Sequence, residues 1–341
     1  MGSHRRLAPS FGPDRGSAVA VGLLTAAAAA LGSVPAGPAV AAPRGDTRAE
    51  VDRLHQEAEK ATEAYNKAGE RIGLLRNRAR DLRDRVARQQ QRVNELRESL
   101  GSVAGAQYRS GFDPFLALLF SRDPADCLDR AAALDRIGAH QAGALKDLRR
   151  TLRDISQERA EATRVLAELE QSRKAAAAHK RTVERKLAEA RRLLASLPPS
   201  EREAYDRASR SGRDGFLPGL GDGPAASARA GADGAAARSA LGRPYVWGAN
   251  GPSSFDCSGL TQWAYAQAGV HLPRTSQEQR DAGRRIPLSQ ARPGDLVVYR
   301  SDAGHVAMYA GNGRVIHAPH PGARVRYDPV DMMPVSSVTR I

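Results

Sequence analysis

Two cysteines among 341 residues rule out a disulfide framework, and no zinc-finger spacing surrounds either of them. Aromatic residues are scarce, at 5%. No cluster of Lys/Arg interleaved with Phe/Tyr occurs, which argues against a stacking platform for single-stranded nucleic acid. Helix-turn-helix and phosphate-loop spacings are missing as well, so nucleic acid is not an expected partner. Beyond residue 42 no apolar run is long enough to span a bilayer. Acidic residues are in deficit, 38 against 52 Lys+Arg, and the formal net charge of +14 suits an anionic polymer or membrane surface.

The first 41 residues read as an export signal. Arg5 and Arg6 form a basic start, "AVAVGLLTAAAAAL" (18–31) an apolar stretch too short to span, and "AVAA" (39–42) a small-residue cleavage site. The apolar residues that follow closely in a twin-arginine signal are absent after "HRRLAPS". The expected location is therefore extracytoplasmic, secreted to the cell wall, with no integral membrane segment after cleavage. An oxidising compartment invites pairing of Cys127 with Cys257. Their separation, 130 residues across two compositional regions, gives that bridge no support.

From Val51 to Val103 apolar residues recur every three or four positions, and a second run in heptad phase extends from Leu145 to Leu194 through Leu148, Leu152, Ile155, Ala162, Leu166, Leu169, Ala176, Val183, Leu187 and Ala190. This is the seam of a coiled coil. Between the runs, "YRSGFDPFLALLFSRDPADCLDR" (108–130) carries helix-breaking Gly111 and two Asp-Pro pairs. The simplest arrangement is an all-α antiparallel hairpin over 46–197. Its apolar tip (Phe115, Leu116, Leu118, Leu119, Phe120) either folds back as a local core or docks a partner. Pro198 and Pro199 stop the second helix. Residues 198–235, rich in Gly, Ala, Ser and Pro, read as a flexible linker. Residues 236–341 then form a separate α+β domain with alternating short apolar runs, Gly turns and both tryptophans.

That last domain carries the chemistry. "CSGLTQWAYAQA" (257–268) has helical spacing behind Asp256, a natural N-cap, so Cys257 opens a helix. A thiol there feels the helix dipole and unpaired N–H groups, which are expected to lower its pKa. "GHVAMYAG" (304–311) and "RVIHAPH" (314–320) flank Gly-Asn-Gly as a hairpin. The summed indices of His305 and His317 are even, so a three-residue loop puts both imidazoles on one sheet face. Left to spacing alone, His305, His317 and His320 could also be packing residues or metal ligands, although no carboxylate is fixed beside them.

Five ordered stretches, "RPYVWGANGPSSFDCSGLTQWAY" (243–265), "LPRTSQEQ" (272–279), "RPGDLVVY" (292–299), "GHVAMYAGNG" (304–313) and "VIHAP" (315–319), resemble the NlpC family of papain-like cysteine endopeptidases that act on cell walls. The resemblance covers about 30% of the chain and departs mainly at "WGAN", where the family often has a double glycine. It implies a papain-like α+β fold, with Cys257 as nucleophile, His305 as general base and His317 orienting it. It further implies Tyr245 as an oxyanion donor and Trp247, Asp256, Ser258, Arg274 and Ser276 lining the substrate cleft. The implied reaction is metal-free and cofactor-free hydrolysis of an amide in peptidoglycan stem peptides, usually D-γ-glutamyl–diaminopimelate. An N-acetylmuramoyl-L-alanine amidase and a non-catalytic wall-binding scaffold are the alternatives. The hairpin tip "GFDPFLALLFSRDPADCLDRAAALDRI" is similar to that of division hydrolases held by FtsEX, which implies a regulatory coiled coil docked on an FtsX-type membrane protein.

Overall fold

A computed structural model describes residues 44–110, 124–210 and 228–341. The export signal and the apolar tip lie outside these residues, and among those described no helix is long and apolar enough to cross a membrane.

Helix α1 (Arg44–Ser110) and helix α2 (Pro124–Ser196) are 67 and 73 residues long, so each is about 100 Å in length. They run antiparallel. Val51 and Leu54 pack with Ala190, Ala58 and Ala61 with Val183 and Leu187, and Leu75 and Leu82 with Val165 and Leu169. Partners descend in α2 as they ascend in α1, and the ion pairs Arg78–Glu161 (2.7 Å) and Lys186–Glu57 (2.6 Å) follow the same order. The expected seam needs correction in α2. Val165 is buried and Leu166 is 55% exposed, while Leu145 and Leu152 also face outward. Heptad steps from Ile155 and Ala162 place the second seam position on Val165, one residue before Leu166.

The stretch expected to be a structureless linker holds two helices, α3 (Pro199–Arg210) and the start of α4 (Ala228–Ser239). Pro199 supplies the fixed φ that suits a first helical position, and Glu201 adds an acid in the first turn. Tyr205 of α3 packs against the Val51–Leu54–Ala190 cluster, so tertiary burial holds a segment whose composition suggests none.

The C-terminal domain is a six-stranded antiparallel sheet in the order β1-β6-β2-β3-β4-β5. The strands are β1 (Arg284–Ile286), β2 (Leu296–Tyr299), β3 (His305–Gly311), β4 (Arg314–His317), β5 (Arg326–Pro329) and β6 (Val335–Arg340). Period-two alternation sends Leu296 and Val298 to one face, against α4 and helix α5 (Cys257–Gln267). Val297 and Tyr299 go to the other, with Ala307, Val315 and Val338. The short helix α6 (Ser276–Arg280) is capped by Thr275, which accepts from the Glu278 N–H. Together the elements form an all-α coiled-coil hairpin followed by an α+β domain, the expected fold class.

Candidate active site

Cys257 opens α5, where the spacing put it. Asp256 caps the helix by accepting the Gly259 N–H at 2.7 Å, and its other oxygen accepts the Gly248 N–H at 2.9 Å. A Cβ at Gly259 would run into the Ala249 carbonyl, so only glycine lets the 249–250 loop close on this cap. Asp256 is fully buried. Arg274 makes that tolerable by donating to both of its oxygens, at 3.0 and 2.6 Å, and to Ser258 Oγ at 2.9 Å.

The hairpin brings the two histidines together. Tyr309 pairs with Val315 and Met308 with Ile316, with a register shift before Gly311. His305 and His317 therefore share a sheet face on a diagonal. His305 Nε2 lies 2.8 Å from His317 Nδ1, with the rings at 88°. His317 Nε2 continues to Asp328 Oδ2 at 2.8 Å, and Arg326 Nε donates to the same oxygen at 2.8 Å. Burial pulls the His317 pKa down to about 4 against the opposing pull of Asp328. His320 stands apart from this pair, stacked on His55 of α1 at 4.7 Å.

The thiol departs from expectation. No disulfide joins Cys127 to Cys257, and Cys257 is buried. Burial first, and then the Glu63, Asp256 and Glu59 carboxylates, push the thiol well above its ordinary range, and against them the Val306 N–H beside the sulfur pulls only weakly toward thiolate. Two of those acids come from α1. Glu63 accepts from Ser258 Oγ at 2.7 Å and from the Ser276 N–H at 2.8 Å, and lies 3.8 Å from Cys257 Sγ. Asn66 donates to Asp256 at 3.1 Å, and Glu59 pairs with Arg300 and sits 3.5 Å from His305 Nδ1. Tyr65 meets Trp247 edge-on at 5.3 Å. Burial alone would raise Glu59, yet His305 and Arg300 overcome it and hold this acid at about 2. Glu63 is pushed up to about 7 by burial and by the Asp256 carboxylate facing it.

The nine expected site residues all fall among the described residues of this domain. Cys257, Asp256, Ser258, Arg274 and Ser276 are joined by the contacts above. Tyr245 is buried in the same cluster as the thiol, its hydroxyl pushed well above its usual range by burial and then by Cys257. Trp247 is half-buried under α1. Sequence reasoning missed Glu59, Glu63, Asn66, Arg300 and Asp328. A signal for the α1 residues does exist. His55, Glu59, Thr62, Glu63 and Asn66 form a second helical stripe beside the apolar seam, and all are buried although polar.

The NlpC/P60 family matches residues 242–339. A "Probable endopeptidase" of Corynebacterium glutamicum is 48% identical over 105 residues, covering 31% of this chain and 50% of that protein. The "Probable endopeptidase p60" of Listeria monocytogenes is 51% identical over 96 residues, covering 28% of this chain and 19% of that protein. The solved NlpC/p60 domain of the peptidoglycan hydrolase SagA is 39% identical, with 33% of this chain and 98% of that one covered and a TM-score of 0.32. The chain spans half or less of the length of these curated relatives. Residues 242–339, with a cysteine at a helix start and paired histidines on one sheet face, are an NlpC/P60 domain.

Proposed function

We propose that this chain is a secreted peptidoglycan endopeptidase whose catalytic site is held closed by its own coiled coil. The observation that carries the catalytic reading is the hydrogen-bonded His305–His317 pair beside a thiol at a helix start. With α1 withdrawn, His305 Nδ1 takes the Cys257 proton and the thiolate attacks the amide carbonyl. The Tyr245 hydroxyl and the Cys257 N–H steady the tetrahedral oxyanion. His305 then protonates the leaving amine, and water hydrolyses the thioester. No metal or cofactor enters these steps. Trp247, Asp256, Ser258, Arg274 and Ser276 line the cleft that receives the stem peptide.

The preferred bond is D-γ-glutamyl–diaminopimelate. The family resemblance and the relatives' names support an endopeptidase, and so does the occupant of the closed site. Glu63 presents to the sulfur a glutamyl side-chain carboxyl, the same group that cleavage of a γ-glutamyl amide releases. Mass spectrometry of purified muropeptides after incubation tests the bond. Products with a free diaminopimelate amine are expected, whereas intact stem peptides freed from muramic acid would mean an amidase. No products from a reduced, open chain would mean a wall-binding scaffold.

Opening calls for an outside partner, and an FtsX-type membrane protein acting on the 115–120 tip is the one we propose. Tyr108 and Leu128, which flank that tip, are 89% and 72% exposed, and this supports a docking role. In a pull-down with an FtsX extracellular loop, binding should disappear when Leu116, Leu118 and Leu119 become Asp. Equal binding would remove the idea.

A further inference from the structure

Asp328 touches no reacting atom, yet it terminates the chain of hydrogen bonds that leads to one. We propose that Asp328 is a positioning residue that fixes the tautomers of His317 and His305 in series and so leaves His305 Nδ1 bare to receive the Cys257 proton.

Each link follows from what the groups can donate. Arg326 shares Asp328 Oδ2 with His317, so the carboxylate stays ionised and can only accept. His317 Nε2 must then carry the hydrogen. A neutral imidazole has one N–H, which makes His317 Nδ1 an acceptor. The 2.8 Å contact there requires His305 Nε2 to be the donor. His305 Nδ1 is left as the free base once α1 withdraws; in the closed form it is buried without a hydrogen bond, and Glu59 Oε1 of α1 stands 3.5 Å from it. Reversing the first link reverses them all. With Nδ1–H on His317, His305 must accept through Nε2 and present an N–H to the cleft, where it cannot take a proton from sulfur.

The far end of the relay is also placed where solvent can reach it. A cavity of about 610 Å³ between α1 and the sheet is lined by His317, Arg326 and Asp328 together with Asp52, His55 and Glu59 of α1. Asp328 is 21% exposed and His317 only 2%. The anchor is partly exposed while both rings are buried, so the carboxylate can keep its charge without loosening the rings.

The test uses the full chain labelled with ¹⁵N-histidine, reading tautomers at pH 7 from long-range ¹H–¹⁵N correlations. In the wild type both His305 and His317 should carry hydrogen on Nε2. Asp328→Asn should shift His317 toward the Nδ1–H form, and Asp328→Glu should restore the wild-type pattern. A kinetic arm rests on the endopeptidase reading, whereas the spectra need no activity, so failure of either stays distinguishable. With the α1 contacts removed, Asp328→Asn should lower kcat about tenfold or more with KM unchanged, by the logic of a lost orienting carboxylate. In a His317→Asn background, where an amide has no tautomer to choose, the same change should cost nothing further. An Nδ1–H tautomer on His317 in the wild type overturns the proposal, whether or not the variants fold. So do tautomers unmoved by Asp328→Asn, or an equal loss of kcat in both backgrounds.

Discussion

At Cys257 two influences on one sulfur oppose each other. The helix start and the Val306 N–H favour a thiolate, while burial and three carboxylates favour the thiol. Glu63 and Glu59 belong to α1 and leave with it, so the balance turns on whether that helix is in place. Cys257→Ala and His305→Ala should each abolish muropeptide cleavage, by about 10³-fold or more, with circular dichroism unchanged. His317→Ala should cost less, because it only orients the base. Asp256→Ala strands the buried Arg274 guanidinium and should destabilise the domain by about 3–5 kcal/mol, read from its denaturant midpoint. Local rules made several of these residues legible. The cap is set by Asp256 standing one residue before Cys257, and the shared face of His305 and His317 by a parity of two. Asp328 escaped because its role depends on how β5 pairs with β4, and the four residues "RYDP" carry no alternation that fixes their facing.

At the scale of the helix, α1 carries two stripes. One is the apolar seam that packs on α2. The other, His55–Glu59–Glu63–Asn66, faces the C-terminal domain, with Glu59, Glu63 and Asn66 against His305, Ser258 and Asp256 and with His55 on His320. The seam was visible from its periodicity. The role of the acids was not, since Glu63 meets Ser258 across 195 positions and charged residues beside a heptad seam usually face solvent. The same limit explains the linker, where Tyr205 finds burial that composition does not announce. The stripe has a consequence for pH. Burial, and then the Asp256 carboxylate, push Glu63 up to about 7 in the closed form, above its ordinary value near 4.5, so closure favours an extra proton there. That contribution is whole below pH 4.5 and is lost as pH rises through 7. His55, lowered to about 4 by burial and then by His320, acts oppositely, weakening closure as pH falls below 6.5. Above pH 6.5 Glu63 dominates of the two. Iodoacetamide labelling of Cys257 should therefore accelerate from pH 6.5 to 8 more steeply in the wild type than in Glu63→Gln, whose amide imitates the protonated acid. Parallel pH profiles would show that Glu63 does not set the opening.

At the scale of the whole molecule, the long hairpin meets the NlpC/P60 domain through buried polar contacts and through Trp247, which packs on the Ala58–Ala61–Val183–Leu187 cluster. Trp247 and Tyr65 supply an aromatic contact there, and Arg300–Glu59 a buried ion pair. The ladder of exposed Arg–Glu pairs along the hairpin adds little stability, since such pairs are each worth about 0–1 kcal/mol. The hairpin's length instead suits transmission, because a rod about 100 Å long can carry a displacement from its tip to the cleft. The decisive measurement compares peptidoglycan cleavage by three full-length chains: wild type, Glu59→Ala/Glu63→Ala/Asn66→Ala, and that triple variant with Cys257→Ala. The triple variant should release fragments at least about tenfold faster than the wild type, and the added cysteine change should silence it. Equal rates for the first two would remove α1 as a latch. Silence from the triple variant with its thiol reduced, or cleavage that survives loss of the sulfur, would remove the cysteine hydrolase itself.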